Sequence, residues 1–218
     1  MQRRRAIQWF IAMFLVFAIP AGIAATTMDR FELHLLMHPF HSAGWDSFFR
    51  WGTHLADGLV PTAVALLLLL YKDLRSFLML GLAAGLSAIV TQLLKRGPFA
   101  DEDRPFMFRE SLGDLHWVLE LDLHHHNSFP SGHATTAVSM CLALTILIGR
   151  PTWGAMLACL AVVLAYSRVY LSQHFTADII AGGAIGLVVT LGVYHLLYKS
   201  RFSEKPWLDR RLWRVQNQ

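Results

Sequence analysis

Residues 129–178 read FPSGHATTAVSMCLALTILIGRPTWGAMLACLAVVLAYSRVYLSQHFTAD. Two apolar blocks, about 134–149 and 152–170, are joined by the short turn Gly149-Arg150-Pro151. Blocks this long and nearly free of charge read as membrane helices, because a bilayer core needs roughly 20 apolar residues per span. A tight hairpin of two such helices returns its free ends to one side. The polar stretches at those ends are Phe129-Pro130-Ser131-Gly132-His133 and Ser167 to Asp178, and they are therefore predicted to meet on one face of a bundle.

The same pattern extends along the chain. The 218 residues are 55% hydrophobic, with mean hydropathy +0.42. Six apolar spans stand out, at about 6–25, 56–71, 76–95, 134–149, 152–170 and 176–198. The expectation is an all-α, six-span integral membrane protein forming one domain over 1–218. Arg3, Arg4, Arg5, Lys72, Arg75, Arg150 and the basic residues after span six fall on one side, which the positive-inside rule makes cytoplasmic. The other side takes seven of the nineteen basic residues and twelve of the fifteen acidic ones. That asymmetry places the polar motifs on the outer face, the periplasm if the source is a bacterium with two membranes. The net charge of +4 follows from these flanking residues and does not call for nucleic acid.

Between the spans, residues 26–55 mix aromatic, aliphatic and charged side chains. Helical pieces lying in the interface are expected, broken near Pro39, with Trp45, Phe48, Phe49 and Trp51 as an aromatic belt. The polar, acidic loop 96–130 is long enough to be functional. The stretch 199–218, with Trp207 and Trp213, reads as a basic tail on the cytoplasmic membrane surface. The N-terminus resembles a signal peptide with small residues near Ala24 and Ala25, but an even number of spans favours a retained first helix. Gly81 with Gly85, and Gly182 with Gly186, suit close helix approach. Cys141 and Cys159 read as small buried hydrophobes.

Each polar motif has a chemical and an ordinary reading. His174 and Asp178 are four apart at the start of span six, on one helix face. A carboxylate there fixes the imidazole tautomer and frees the other nitrogen for attack; the ordinary reading is a helix-start Asp beside an incidental His. Arg168, next to Ser167, offers a planar guanidinium to phosphate oxygens, or simply snorkels to the interface. Ser131 and Gly132 open a helix, where free backbone N–H groups form an anion site, and Pro130 suits such a start. His133 would be a proton donor within reach. Lys95 and Arg104-Pro105 would add two cations to the same pocket, although Lys95 and Arg96 could both be interfacial charges flanking a span.

Taken together, in this order and on one membrane side, these motifs resemble the type 2 phosphatidic acid phosphatase family, which shares its site with vanadium haloperoxidases and bacterial acid phosphatases. That family carries K-x6-RP, PSGH and SR-x5-H-x3-D. The second and third motifs match here without a gap. The first departs: eight residues, Arg96 to Asp103, separate Lys95 from Arg104, so Arg96 could stand in for the lysine. The resemblance implies that His174 attacks phosphorus to form a phosphohistidine, with Asp178 orienting it. Lys95, Arg104, Arg168, Ser131 and the Gly132 amide would hold the phosphate oxygens. His133 would protonate the leaving oxygen and then activate water.

Ten of the eleven histidines fall on the outer side, His34, His38, His41 and His124, His125, His126 among them. Zinc binding is the sharp alternative for them, but a sequence triplet does not easily place three rings on one ion, and Pro39 interrupts the other set. No metal and no cofactor is expected. The expected function is a bacterial inner-membrane lipid phosphatase acting on a lipid phosphate or diphosphate. The resemblance names undecaprenyl diphosphate, phosphatidylglycerophosphate, phosphatidic acid and the 1-phosphate of lipid A, with the first ranked ahead. A lipid phosphotransferase and a non-enzymatic lipid-phosphate transporter or sensor are the competing readings.

Overall fold

The structure, a computed structural model, describes residues 1–38, 40–118, 121 and 124–212. Pro39, where a helix break was expected, and Trp213 and Arg214 of the tail lie outside the described residues. Eight α-helices occur in the described residues: α1 (Gln2–Thr27), α2 (Arg30–Leu36), α3 (Ala43–Gly52), α4 (Leu59–Tyr71), α5 (Leu74–Arg96), α6 (Gly132–Ile148), α7 (Pro151–Tyr170) and α8 (Thr176–Tyr198). Local chemistry sets their ends. Asp29, Ser42, Asp73 and Ser131 each accept a backbone N–H in the first turn of the helix they precede. Gly149 ends α6 in the left-handed region, and Pro151 opens α7 where its missing N–H is harmless. Pro130 stands just outside α6, which starts at Gly132 behind its Ser131 cap.

α6 is the axis of the bundle. It is buried along nearly its whole length and packs against α1, α5, α7 and α8. A helix apolar on every face stays enclosed. Glycine permits its closest approach to α8: a Cβ built on Gly182 would lie 2.3 Å from the Ser131 carbonyl oxygen, and one on Gly186 would lie 2.6 Å from that of Thr135. α1 meets α7 the same way, with Gly154 against Ala6. The other glycine pair does not take part in such an approach. A Cβ on Gly85 has no atom within 4 Å, and one on Gly81 meets only its own helix's Phe77, at 3.9 Å.

By length and composition α1, α5, α7 and α8 are long and apolar enough to cross a membrane. Residues 43–56 and α4 together make a fifth candidate, bent by 49° at Asp57 and Gly58. α6, at 17 residues, is apolar but shorter. The chain is a multi-pass membrane protein with four or five candidate spans by that measure. The expected helical pieces of the first outer loop are α2, α3 and the 3-10 turn 53–56.

The helices alternate in direction, so their termini gather at two ends. At one end Arg3 Nε donates to Ile146 O (2.9 Å) and Leu74 N to Arg210 O (3.0 Å). At the other, Lys95 Nζ donates to Asn127 O (2.8 Å) and Ser131 N to Asp178 O (2.9 Å). The first of these ends corrects one expectation. The chain after α8 is not a plain surface tail: residues 201–204 and 206–209 form 3-10 turns, and Leu208 is fully buried. Arg75 ties them down, reaching both oxygens of Asp209 (2.8 and 2.9 Å), Ser203 O (2.9 Å) and Leu197 O. A bidentate carboxylate and two carbonyls satisfy a planar guanidinium well.

Candidate active site

The motif residues converge at the end opposite Arg75. α7 finishes with Ser167 and Arg168 buried, and the chain then turns sharply through Ser172, whose φ is +50°. The N–H groups of Gln173 and His174 both return to Arg168 O, at 2.9 and 3.1 Å. That turn delivers His174 beside the first turn of α8, where Asp178 sits. Asp178 Oδ2 accepts from His174 Nδ1 (3.3 Å), Ser128 Oγ (2.5 Å) and the Phe175 N–H (2.9 Å). With Nδ1–H committed to the carboxylate, Nε2 keeps its lone pair. His174 is 2% exposed. Burial, then the charges of Arg104, Arg168 and Lys95, hold its pKa well below the usual imidazole range, so it is neutral at pH 7.

Three cations lie at this end, each under 10% exposed. Lys95 Nζ and Arg104 Nη2 share the Asn127 carbonyl, at 2.8 and 3.5 Å. Arg104 also donates through Nε to His126 O (2.9 Å) and through Nη1 to Gln173 O and Oε1 (both 3.2 Å). Burial lowers its pKa. Arg168 Nη1 donates to Thr53 Oγ1 (2.9 Å), while its Nε has no partner among the described residues. Among the described residues no carboxylate forms an ion pair with any of the three, and buried cations left so favour an anionic ligand. The long first motif resolves here. A turn over residues 97–101 takes up the added length, so Lys95 and Arg104 still reach the same carbonyl. Arg96 points elsewhere and is exposed.

Ser131 caps α6, its Oγ 3.4 Å from Ala134 N, and Gly132 is the first helical residue. His133 follows, at the wall of a polar cavity of about 340 Å³ that Arg50, Thr53, His54, Asp57, Arg168 and Gln173 also line. His133 Nε2 lies 2.8 Å from Asp57 Oδ1. The acidic stretch 101–103 stays at the rim, with Asp103 on His126 Nδ1 (2.6 Å). Two histidines of the segment after α1 brace the turn between α7 and α8. His34 Nε2 meets Ser172 Oγ (3.2 Å), and His38 Nε2 meets Tyr170 O (2.9 Å). Among the described residues no three His, Cys, Asp or Glu side chains gather as a metal cage. Sequence reading missed Thr53, Asp57, Ser128 and Gln173, which support Arg168, His133, Asp178 and Arg104 respectively. None lies in a motif, and only their contacts identify them.

Comparison with known proteins gives the chain its family. The provisionally named undecaprenyl-diphosphatase YbjG of Escherichia coli K12 is 31% identical over 131 residues, 60% of this chain and 62% of that protein. The match thus spans about three fifths of the relative's length. Among solved structures, Aquifex aeolicus LpxE superposes with a TM-score of 0.63 at 26% identity, covering 74% of this chain and 92% of that one. A transmembrane PAP2-type phosphatidylglycerolphosphate phosphatase from Bacillus subtilis gives 0.60 at 22% identity, covering 88% and 98%, and shares the fold. The PAP2 superfamily pattern matches residues 76–202, the stretch that holds His174, Asp178, His133 and all three buried cations, and the chain belongs to that superfamily.

Proposed function

We propose that this protein is a metal-independent lipid phosphatase that removes phosphate from a membrane lipid through a phosphohistidine. The observation that carries the reading is the His174–Asp178 pair, buried among Lys95, Arg104 and Arg168 with the imidazole neutral. His174 Nε2 attacks phosphorus while the bond to the leaving oxygen breaks, and His133 gives that oxygen a proton. Asp178 balances the charge that develops on the His174 ring. The three cations, Ser131 and the Gly132 N–H bind the phosphate oxygens, as phosphoryl transfer requires. Water then attacks the phosphohistidine as His133 takes its proton, and inorganic phosphate leaves.

The substrate's tail lies in the bilayer and its headgroup reaches the helix ends. Undecaprenyl diphosphate ranks first: the name of the Escherichia coli relative supports it, and so does the polar cavity beside His133, where Arg50, His54 and His124 could meet a second phosphate. Phosphatidylglycerophosphate, phosphatidic acid and lipid A 1-phosphate are the other members of the class. The chain works as one membrane domain of six spans, with α6 and the bent pair counted in. A 17-residue helix rises about 26 Å, a little less than a bilayer core of about 30 Å. This favours a phosphate site recessed slightly below the headgroup plane. Arg3, Arg75, Arg150 and Lys199 at the opposite end support a periplasmic site in a bacterial inner membrane.

The test is phosphate release by purified protein in detergent with EDTA, over those four lipids, for the wild type and His174→Ala. Release by the wild type, none by the variant, and an acid-labile phosphoprotein in the wild type are expected. Release that survives His174→Ala overturns the assignment of the nucleophile, and no release from any lipid overturns hydrolysis.

A further inference from the structure

Asp57 belongs to no motif, yet it is the carboxylate in contact with the proton donor. It follows the 3-10 turn 53–56 and precedes α4. One of its oxygens lies 2.8 Å from His133 Nε2, and the other accepts from His54 Nδ1 at 2.7 Å. The carboxylate is thereby gripped by two imidazoles and cannot turn freely. Four residues earlier, Thr53 Oγ1 holds Arg168 Nη1 at 2.9 Å. This short segment therefore supports two members of the site from one wall of the cavity.

The chemistry gives that contact a role. To protonate a leaving oxygen, His133 has to be an imidazolium once the phosphate is bound. Lys95, Arg104 and Arg168 already concentrate positive charge at this end of the bundle, and a further cation needs a nearby counter-charge. Asp57 supplies it by direct hydrogen bond. The same bond fixes the ring's rotation and engages Nε2–H. The proton passed on is then the one on Nδ1: it moves to the leaving oxygen as the phosphorus–oxygen bond breaks, and the ring remains neutral with Nε2–H on Asp57.

We infer that Asp57 is the positioning carboxylate of His133, a second His–Asp pair that serves the proton donor as Asp178 serves the nucleophile. This rests on the phosphatase reading, and the experiment separates the two. Two substrates with one tail are compared: dodecyl phosphate, whose alkoxide leaves poorly without a proton, and a nitrophenyl phosphate bearing the same dodecyl tail, whose phenolate leaves unaided. Wild-type hydrolysis of neither would count against the phosphatase reading. For Asp57→Asn, kcat/KM on the alkyl phosphate should fall about thirtyfold, a part of the roughly 10²–10⁴-fold that general acid catalysis supplies. The aryl phosphate should change by less than about threefold, and its hydrolysis also shows that the variant is folded. Asp57→Ser, which removes the charge with a smaller side chain, carries the same expectation. Equal losses on both substrates in both variants, or no loss on either, overturn the inference.

Discussion

Replacing Gly182 by alanine puts a methyl group where α8 crosses the first turn of α6. The new carbon would stand 2.3 Å from Ser131 O, 3.1 Å from Thr135 Oγ1 and 3.2 Å from Ser131 C. The nearest of these is backbone, which has no rotamer with which to yield. Opening that contact to the 3.0 Å below which real Cβ atoms are hardly ever found requires about 0.7 Å of separation between the helices. Overpacking of this kind typically costs about 1–3 kcal/mol, enough to lower the melting temperature by about 5 °C in a chain of this size. The effect on catalysis should be larger in proportion. Ser131 and Gly132 would move away from His174, and Ser131 N would strain its bond to Asp178 O. Displacements approaching 1 Å can cost about 10²-fold in rate. Initial rates of phosphate release and thermal melting in the same detergent give both quantities. Gly85→Ala is the control, since its methyl meets nothing within 4 Å and alanine is the better helix former by about 1 kcal/mol. It should keep its rate within about twofold and melt no lower than the wild type. Full activity and stability in Gly182→Ala would refute the claim that glycine contact between α6 and α8 sets the site.

Two further outcomes are expected. Lys95→Ala should lower kcat/KM by about 10²-fold, as loss of a preorganised charge does, while Arg96→Ala, altering an exposed side chain, should stay within about twofold; equal effects in a phosphate-release assay would remove Lys95 from the site. Stability should also fall with acidification, because burial, then His38, pushes the His34 pKa down from 6.5 to about 3, and burial, then Arg104, lowers that of His174. The unfolded chain takes up protons below about pH 6.5 that these folded rings refuse, so their contribution is whole above that pH and is lost as the pH falls toward 3, at no more than about 1.4 kcal/mol per unit for each group. A melting temperature that stays flat between about pH 7 and pH 4.5 would contradict this.

The legible part of the site is the part written in short sequence intervals. Ser167 to Asp178 is the end of one helix, a turn and the start of the next, so its spacing carries its geometry. Ser131-Gly132-His133 is a single helix entry and reads the same way. Lys95 and Arg104 were harder, because the turn at 97–101 changes their spacing without changing the carbonyl they meet. Thr53, Asp57 and Ser128 left no local trace at all: a hydroxyl or carboxylate at a loop end looks alike whether it faces water or a buried arginine. Hydropathy found the apolar blocks but not the 49° bend before α4, which lies in the path of the backbone and not in composition. Nor could four-residue glycine spacing separate Gly182 and Gly186, which face backbone, from Gly85, which faces open space.

α5 gives the Arg75 anchor a mechanical meaning. The helix is a stiff rod with Arg75 near its foot and Lys95 near its tip, about 30 Å apart at 1.5 Å per residue. Arg75 holds the foot through Asp209, Ser203 and Leu197, and so acts as a fulcrum. On a lever of that length a pivot of about 2° carries the tip about 1 Å, the scale on which phosphate geometry fails. The segment beyond α8 thus sets the aim of an ammonium group at the far end of the molecule.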